Sequence, residues 1–240
     1  MSQKHLVIAI DGPAASGKST TAKLVAERLG YLHVDTGAMY RAVTLKILRR
    51  EIELNDVAKI AKLVSTTRVE LSYLSADRQS ADSSLKVSLD GEDVTHDIRS
   101  LEVTKAVSAV SSIKEVRAAM VREQQKMGEG GGIVMDGRDI GTVVFPDAGL
   151  KIFMVASIHE RARRRAEELS AKGLAANLEL LKKEIAERDR LDSTRNESPL
   201  RKADDAVELD TSNLTIDEQV EFIVDKALQT LSGAKGLTVK

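Results

Sequence analysis

The chain of 240 residues contains no cysteine, which excludes disulfide bonds, thiolate metal sites and cysteine nucleophiles. Aromatic residues make up only 2% of it and Trp is absent, so stacking platforms for single-stranded nucleic acid are not evident. A net charge of −1 provides no basic field for nucleic acid or a membrane surface. The apolar run near the N-terminus, five residues long, is too short for a signal-peptide core or a membrane span. We therefore expect a cytoplasmic globular protein that binds neither nucleic acid nor membrane.

The most informative pattern that is present is a glycine-rich loop at residues 12–20, which matches Gly-x-x-x-x-Gly-Lys-Ser. It follows an apolar run of strand character at 6–10 and precedes a helical pattern that ends at Gly30. In this setting, backbone N–H groups converge on phosphate oxygens and the helix N-terminus adds favourable partial charge. Lys18 would reach the β- and γ-phosphates, and the Ser19 hydroxyl would ligate Mg²⁺. The alternative is a glycine turn beside a surface lysine, but the flanking strand and helix favour a nucleoside triphosphate site. Its residues are Gly12, Pro13, Ala14, Ala15, Ser16, Gly17, Lys18, Ser19 and Thr20.

Apolar strand patterns alternate with helical patterns along the rest of the chain, which predicts an α/β fold with a parallel sheet. The predicted strands are residues 6–10, 31–34, 133–135, 151–155 and 206–209. Residues 66–96 differ, with strand patterns at 68–74 and 85–89 and a hairpin turn at Asp90-Gly91. We expect a small antiparallel insert there, with 75–84 as a mobile connector. The last helix begins at Thr215 with a capping box to Glu218, and a disordered tail is expected from 232 onward.

Residues 157–195 combine two patterns of helical spacing. Arg161 and Arg165 lie one turn apart on the same helix face. Further on, an apolar stripe changes to a charged one at the same spacing, in the order Leu178, Leu181, Ile185, Arg188, Asp192 and Arg195. Burying charges at the end of an apolar face costs free energy unless a ligand such as a polyphosphate pairs with them, so this pattern indicates a ligand-binding cleft. The alternative interpretation is that this end of the helix is exposed to solvent. With the phosphate loop present, we favour a lid whose arginines, together with Lys18, neutralise charge on the transferred phosphoryl group: Arg161, Arg165 and Arg188.

Two other predicted strands end in polar residues, at 35–41 and 136–139. Ligands of open α/β sheets lie beyond the carboxyl ends of the strands, so these residues suit a second, small anionic ligand. Asp136 is either a carboxylate on the Mg²⁺ side of the site or a structural acceptor, and both interpretations stay open. No Asn-Lys-x-Asp tetrapeptide occurs, which argues against a GTPase. The four histidines show no ligand spacing, which argues against a transition-metal site.

Taken together, these motifs resemble those of the bacterial cytidylate (CMP) kinases of the nucleoside-monophosphate kinase superfamily, over residues from about 4 to 231. The motifs that carry the resemblance are residues 8–20, 35–41, 136–146 and 187–189. The resemblance implies a three-layer α/β/α P-loop fold with a five-stranded parallel sheet, a small antiparallel β insert and a helical lid. The implied divisions are a core of 1–65, 97–156 and 196–231, an insert of 66–96 in the monophosphate-binding region, a lid with its flanking helix at 157–195, and a tail of 232–240.

The resemblance also implies which residues bind CMP. Thr36, Arg41 and Arg138 would hold the α-phosphate; Thr36 stands where a serine is common in relatives and keeps the hydroxyl. The cytosine edge would be read by Ser108, Arg117 and Asp139, and the sugar with its neighbouring phosphate would contact Asp192 and Arg195. Asp139 can accept from the N4 amino group of cytosine, whereas uracil presents a carbonyl there, so two acceptors would face each other.

The reaction implied is ATP + CMP ⇌ ADP + CDP, with Mg²⁺ bound together with ATP and with dCMP accepted as well. The attacking phosphate oxygen is already anionic at neutral pH, so alignment and charge neutralisation suffice without a general base. One alternative is a kinase for UMP and CMP together, or for another small phosphate acceptor. An alternative of a different class is an ATP-dependent switch or interaction module with 66–96 as its docking surface. A monomer is the default expectation, because no apolar helix seam is evident.

Overall fold

The computed structural model describes residues 5–73, 85–171 and 173–235. Residues 1–4, 74–84, 172 and 236–240 lie outside it, and the predicted connector at 75–84 therefore lies outside the described residues. The chain divides into two compact units, Met1–Val34 with Gln125–Lys240 and Asp35–Gln124. No helix among the described residues is long and apolar enough to cross a membrane.

The described residues form strands and helices that follow the predicted order. The strands are β1 (Val7–Asp11), β2 (Leu32–Asp35), β3 (Val69–Tyr73), β4 (Leu85–Leu89), β5 (Glu92–Asp93), β6 (Ile133–Gly137), β7 (Leu150–Val155) and β8 (Val207–Asp210). The helices are α1 (Lys18–Leu29), α2 (Thr36–Arg49), α3 (Val57–Ser65), α4 (Leu101–Ser112), α5 (Lys114–Gly128), α6 (Ile158–Ser170), α7 (Leu178–Thr194) and α8 (Ile216–Lys235). A 3₁₀ turn at Asp97–Arg99 and a π-helical turn at Ile140–Val144 complete the set.

The first unit contains the predicted five-stranded parallel sheet, in the order β2-β6-β1-β7-β8. Strand β1 pairs in parallel with both β6 and β7, so it lies at the centre, and Ile8, Ala9 and Ile10 are fully buried. Strands buried on both faces read as continuous apolar runs, which is why the sequence pattern located them. Helices α1 and α8 pack against each other and cover this sheet with buried residues that include Val25 and Ile223.

The second unit contains the insert as an antiparallel sheet in the order β3-β4-β5. Asp90 and Gly91 both have positive φ, 52° and 92°, as the predicted two-residue hairpin turn requires. Helix α2 packs against β3, β4 and α4, and the compact unit is therefore larger than residues 66–96. The division of the chain into a functional core, insert and lid stays a prediction.

The C-terminal helix confirms one prediction and corrects another. The Thr215 hydroxyl accepts from the Glu218 N–H at 3.3 Å, and the Glu218 carboxylate accepts from the Thr215 N–H at 2.8 Å, so the predicted capping box is present. The tail expected to be disordered from 232 is instead helical as far as Lys235. Ser232 donates its hydroxyl to the Leu228 carbonyl at 2.8 Å, a bond made within a helix, and no proline stops the helix earlier. Residues 236–240 lie outside the described residues.

Candidate active site

The backbone of the loop between β1 and α1 depends on the two glycines of that loop. Gly12 has φ of 152°, and a Cβ atom at this position would lie 2.1 Å from the Met154 carbonyl oxygen of β7. Gly17, at φ 93°, is the N-cap of α1 and provides no side-chain cap for the first helical N–H groups. No acidic side chain occupies the first turn of α1 either. The open N–H groups and the helix dipole together favour an anion at this loop.

Lys18 lies under this loop with its side chain buried. Its ammonium group donates to the Pro13 carbonyl at 2.6 Å and to the Ser16 hydroxyl at 3.2 Å. Burial lowers the pKa of Lys18 well below its ordinary value, the charge of Arg138 lowers it further, and Asp136 opposes both. A phosphate group bound at the loop would supply the anionic partner that this buried cation favours.

Ser19, the next residue of α1, is connected to the end of β6 through a buried carboxylate. The Ser19 hydroxyl donates to Asp136 Oδ2 at 2.5 Å, and His33 Nε2 lies 2.7 Å from Asp136 Oδ1. Burial by itself would raise the pKa of Asp136, but the hydrogen bonds from His33 and Ser19 and the charge of Lys18 hold it below its ordinary value. The group is therefore an ionised carboxylate next to an exposed serine hydroxyl.

Two ion pairs connect the residues after β6 with the C-terminal part of α7. Arg138 Nε donates to Asp192 Oδ2 at 2.8 Å, and Arg195 Nη2 lies 3.9 Å from Asp139 Oδ1. Burial opposes ionisation of Asp192, yet the charge and hydrogen bond of Arg138 hold the pKa of Asp192 below its ordinary value. Arg188, one turn before Asp192, acts electrostatically on both Asp192 and Lys18. The charged stripe of α7 thus lies with its partners in the first unit.

Helices α6 and α7 both contact the backbone of one loop residue, Ala14. Arg161 of α6 donates from Nη1 to the Ala14 carbonyl at 3.2 Å and to Asp189 Oδ2 at 2.5 Å. Asp189 of α7 accepts from the Ala14 N–H at 3.3 Å through its other oxygen. We call the Arg161 and Asp189 side chains, together with the backbone N–H and C=O of Ala14, the loop clamp. Arg161 therefore contacts the loop backbone and an acidic partner in this structure.

A second arginine of α6 also contacts the loop, and the sequence pattern did not single it out. Arg164 donates to the Ser16 carbonyl at 3.2 Å and to the Thr211 carbonyl at 2.6 Å. Arg165, which the pattern did single out, pairs with Glu168 on its own helix at 2.7 Å. Positions three and four residues after Arg161 both lie near its helix face, so spacing alone cannot distinguish them.

Asp11 is another residue that sequence analysis missed. It is buried at the end of β1, where its carboxylate accepts from the Ile140 and Gly141 N–H groups at 2.8 and 2.7 Å. These N–H groups belong to the π-helical turn that directly follows Arg138 and Asp139. The only available signal was an acidic residue inside an apolar strand run, immediately before the glycine loop.

The remaining sequence-predicted residues lie in the second unit. Thr36 is buried at the start of α2, and Arg41 Nη1 donates to the Thr104 hydroxyl at 3.0 Å. Arg117 is buried, lies 5.5 Å above the Tyr40 ring centroid and donates to the Ser111 carbonyl at 3.2 Å. Ser108 is half-buried, and its carbonyl accepts from the Ser111 hydroxyl at 3.0 Å. The predicted CMP-binding residues are thus divided equally between the units, with Thr36, Arg41, Ser108 and Arg117 in the second and Arg138, Asp139, Asp192 and Arg195 in the first.

A glycine loop after the central strand of a parallel sheet, with a buried lysine and an ionised carboxylate beside it, defines a P-loop nucleotide-binding protein. A solved gluconokinase from Sinorhizobium meliloti 1021 has the same fold at 12% identity, with a TM-score of 0.51 over 99% of this chain and 100% of its own. The cytidylate kinase family model matches residues 8–229. The chain therefore belongs to the cytidylate kinase family.

Curated relatives agree with this assignment. The cytidylate kinase of Bacillus subtilis (strain 168) is 51% identical over 95% of this chain and 98% of its own length. The cytidylate kinase of Bacillus cereus is 50% identical over 96% of this chain and 97% of its own. Membership confirms the prediction of an enzyme, a nucleotide-binding transferase of the nucleoside-monophosphate kinase class that uses ATP.

Proposed function

We propose that this protein transfers the γ-phosphoryl group of ATP to CMP, and also to dCMP, with the residues assigned above. The observation that carries the proposal is the loop of residues 12–20, whose helix N-terminus has no side-chain cap and whose Lys18 is buried beneath it. Family membership supplies the acceptor, since the relatives are cytidylate kinases. The loop would hold the triphosphate through its N–H groups, with Lys18 on the β- and γ-phosphates.

The residues beside the loop fit Mg²⁺ bound together with ATP. Ser19 and Asp136 offer hard oxygen atoms, and Asp136 is held ionised in a buried position, which suits a divalent cation that prefers oxygen ligands. When bound, the metal ion would neutralise charge on the β- and γ-phosphates. This supports the first of the two interpretations of Asp136, and we assign Ser19 and Asp136 to the metal side of the site.

The charged residues after β6 and in α7 are proposed to bind CMP and to favour phosphoryl transfer. Arg138 and Asp139 would hold the α-phosphate and the cytosine edge, and Asp192 with Arg195 would contact the sugar and phosphate. Thr36, Arg41, Ser108 and Arg117 keep the roles that the family resemblance implies. Lys18 and the arginines of α6 and α7 would screen the repulsion between the two nucleotides, and the anionic acceptor oxygen needs no general base. We also retain a monomer as our proposal, which sedimentation velocity would test.

An ADP-release assay over a panel of acceptors tests the function. We expect turnover with CMP and dCMP and much lower turnover with UMP, AMP, GMP and shikimate. Equal rates with UMP would remove the role given to Asp139. A chain that hydrolyses ATP equally with and without every acceptor would favour the switch or interaction module.

Substitution of Lys18 tests the mechanism. Lys18→Ala is expected to lower kcat by at least about a hundredfold, because one preorganised charge at a developing transition state contributes about that much. Lys23→Ala is the matched control, since Lys23 lies on the same helix and pairs with Glu27 at 3.9 Å. Near-normal turnover in Lys18→Ala would contradict the proposed mechanism.

A further inference from the structure

His33 is a buried titratable residue for which the proposed chemistry has no use. It lies in β2 with 7% of its surface exposed, next to the carboxyl end of β6. Its Nε2 atom lies 2.7 Å from Asp136 Oδ1. Because an ionised carboxylate only accepts hydrogen bonds, Nε2 is the donor in this contact. The Asp136 carboxylate is thus contacted directly by both His33 and Ser19.

The two contacts to Asp136 use different oxygen atoms. His33 bonds Oδ1, and Ser19 bonds Oδ2 at 2.5 Å. A carboxylate that is held at both oxygens has a defined plane, whereas one held at a single oxygen can rotate about its Cβ–Cγ bond. His33 therefore helps to fix which way Oδ2 faces, and through Oδ2 it helps to orient the Ser19 hydroxyl.

The orientation of that hydroxyl has a chemical consequence. When Ser19 donates its proton to Asp136, the lone pairs of its oxygen are directed away from the carboxylate and are available to a cation. Partners that orient a ligand in this way commonly change metal affinity or activity by about 10- to 100-fold when they are removed. His33 is connected to Ser19 by two hydrogen bonds through Asp136, so it can influence how well the loop binds a nucleotide together with Mg²⁺.

We propose that His33 is a positioning residue that sets the Ser19 hydroxyl through Asp136 for the metal-bound nucleotide. The inference rests on the proposed function, because it assumes that Ser19 faces the metal ion that accompanies ATP. It concerns a residue outside the glycine loop and outside every motif that carried the family resemblance. In this proposal His33 acts on the metal-bound nucleotide through Asp136.

Three variants separate this role from a packing role. His33→Leu removes the donor and fills the buried position in β2 with an apolar side chain. His33→Gln keeps an amide N–H donor at a similar distance from the backbone. Val34→Ala is the matched control, because Val34 is buried in the same strand and alternation directs its side chain to the opposite face of the sheet. Thermal unfolding of all three first establishes that each variant is folded.

The decisive measurement is calorimetric binding of the non-hydrolysable analogue β,γ-imido-ATP, with Mg²⁺ and with EDTA. We expect the Mg²⁺-dependent part of the affinity to fall about tenfold in His33→Leu, with affinity in EDTA unchanged. His33→Gln should stay within about threefold of the parent protein, and Val34→Ala should lose stability without a change in the Mg²⁺ dependence.

Steady-state kinetics give the second measurement. The results that would contradict the role of His33 differ from those that would contradict the proposed function. In His33→Leu, the Mg²⁺ concentration for half-maximal rate should rise about tenfold while KM for CMP is unchanged. For each protein, the affinity for the ATP analogue in Mg²⁺ is divided by the affinity in EDTA. If this ratio were the same in the parent and in His33→Leu, the inference would be overturned. It would also be overturned if His33→Gln were as impaired as His33→Leu. A parent protein that does not phosphorylate CMP would overturn the proposed function alone, because the calorimetric comparison contains no CMP.

Discussion

Asp11 shows how a single buried side chain positions part of the site. Its carboxylate accepts two backbone N–H groups from the turn that follows Arg138 and Asp139. Burial raises the pKa of Asp11 to about 6, although these two hydrogen bonds oppose the shift. Asp11 therefore holds the turn, but its ionised carboxylate is buried in the interior, which costs free energy. Such buried charges are found most often near functional sites.

The raised pKa of Asp11 makes a prediction about stability and pH. Because the folded-state pKa, about 6, exceeds the ordinary value of 3.8, the folded protein binds more protons between these values. The contribution of Asp11 to stability is therefore largest below about pH 4 and declines as the pH rises through 6, by about 3 kcal/mol at most. Asp11→Asn removes this dependence, so its stability relative to the parent should improve as the pH rises from 4 to 7.

Urea denaturation of both proteins across this pH range measures the effect. Other carboxyl groups, such as Glu160, whose hydrogen bond with Arg163 lowers its pKa to about 2, titrate in both proteins and cancel. Parallel stability curves for the parent and Asp11→Asn would show that Asp11 ionises normally. KM for CMP should rise in Asp11→Asn, since the Ile140 and Gly141 N–H groups use different carboxylate oxygens and Asn presents an NH2 donor at one of those positions, so the turn loses one anchor.

At the scale of helices, the loop clamp joins α6 and α7 to the phosphate loop. Ala162, Leu181 and Ile185 form a small apolar cluster between these two helices, and Ala15 of the loop packs against it. The predicted apolar stripe of α7 is confirmed by this cluster. Polar contacts to Ala14 and apolar contacts to Ala15 thus act on adjacent residues, so the conformation of the loop depends on how α6 and α7 pack.

The clamp predicts that Asp189 matters more than its partly exposed position suggests. Asp189→Ala removes the acceptor of the Ala14 N–H and the acidic partner of Arg161. We expect the free energy of unfolding to fall by about 2 kcal/mol, typical for hydrogen bonds to charged groups. We also expect kcat to fall by about tenfold or more, because a loop displaced by 1 Å can reduce rates by about a hundredfold.

Two further variants test whether the effect of Asp189→Ala comes from the loop clamp. Asp189→Asn keeps an acceptor for Ala14 but loses the charge for Arg161, so its effects should lie between those of the parent and Asp189→Ala. Glu179→Ala is the control on the same helix, because Glu179 is 75% exposed and pairs with Lys182 of that helix at 2.8 Å. If Asp189→Ala and Glu179→Ala had equal turnover, the loop would not depend on the clamp.

At the scale of the whole molecule, the proposed reaction requires two bound nucleotides, and the residues proposed to bind them are found in both units. The phosphate loop belongs to the first unit, and four of the eight proposed CMP ligands belong to the second. A ligand that binds only the folded protein stabilises it by mass action, and ligands at separate sites add their effects. Thermal stability therefore counts the binding sites without any assumption about how the two units are arranged.

β,γ-Imido-ATP with Mg²⁺ and CMP should each raise Tm, and both together should raise it further. At 100 times its Kd, each ligand contributes about 2.7 kcal/mol, or roughly 5–10 °C in a chain of this length. In Lys18→Ala, the shift with the ATP analogue should shrink while the shift with CMP remains. A second ligand that adds nothing in the parent protein would mean that only one nucleotide binds at a time, which is incompatible with direct phosphoryl transfer.

Elements whose formation depends on local chemistry are predictable from the chain alone. The apolar run before the glycine loop, the Asp90-Gly91 turn and the Thr215–Glu218 box all form as expected, since each depends on residues within a few positions. Strand ends shift by a residue or two, and the last helix continues past 232, because helix ends depend on weak local preferences. The family resemblance followed from the same local motifs.

Which side chains meet across the fold was decided by the tertiary structure. The contacts of His33 with Asp136, of Asp11 with Gly141 and of Arg164 with Ser16 join residues more than a hundred positions apart. Helical spacing made Arg164 and Arg165 equivalent, and no pattern distinguished His33 from the other three histidines. A sequence motif shows which chemical groups a segment contains. Strand order and helix packing determine which residues from other segments contact those groups. Strand order and helix packing depend in turn on the burial of apolar surface over the whole chain.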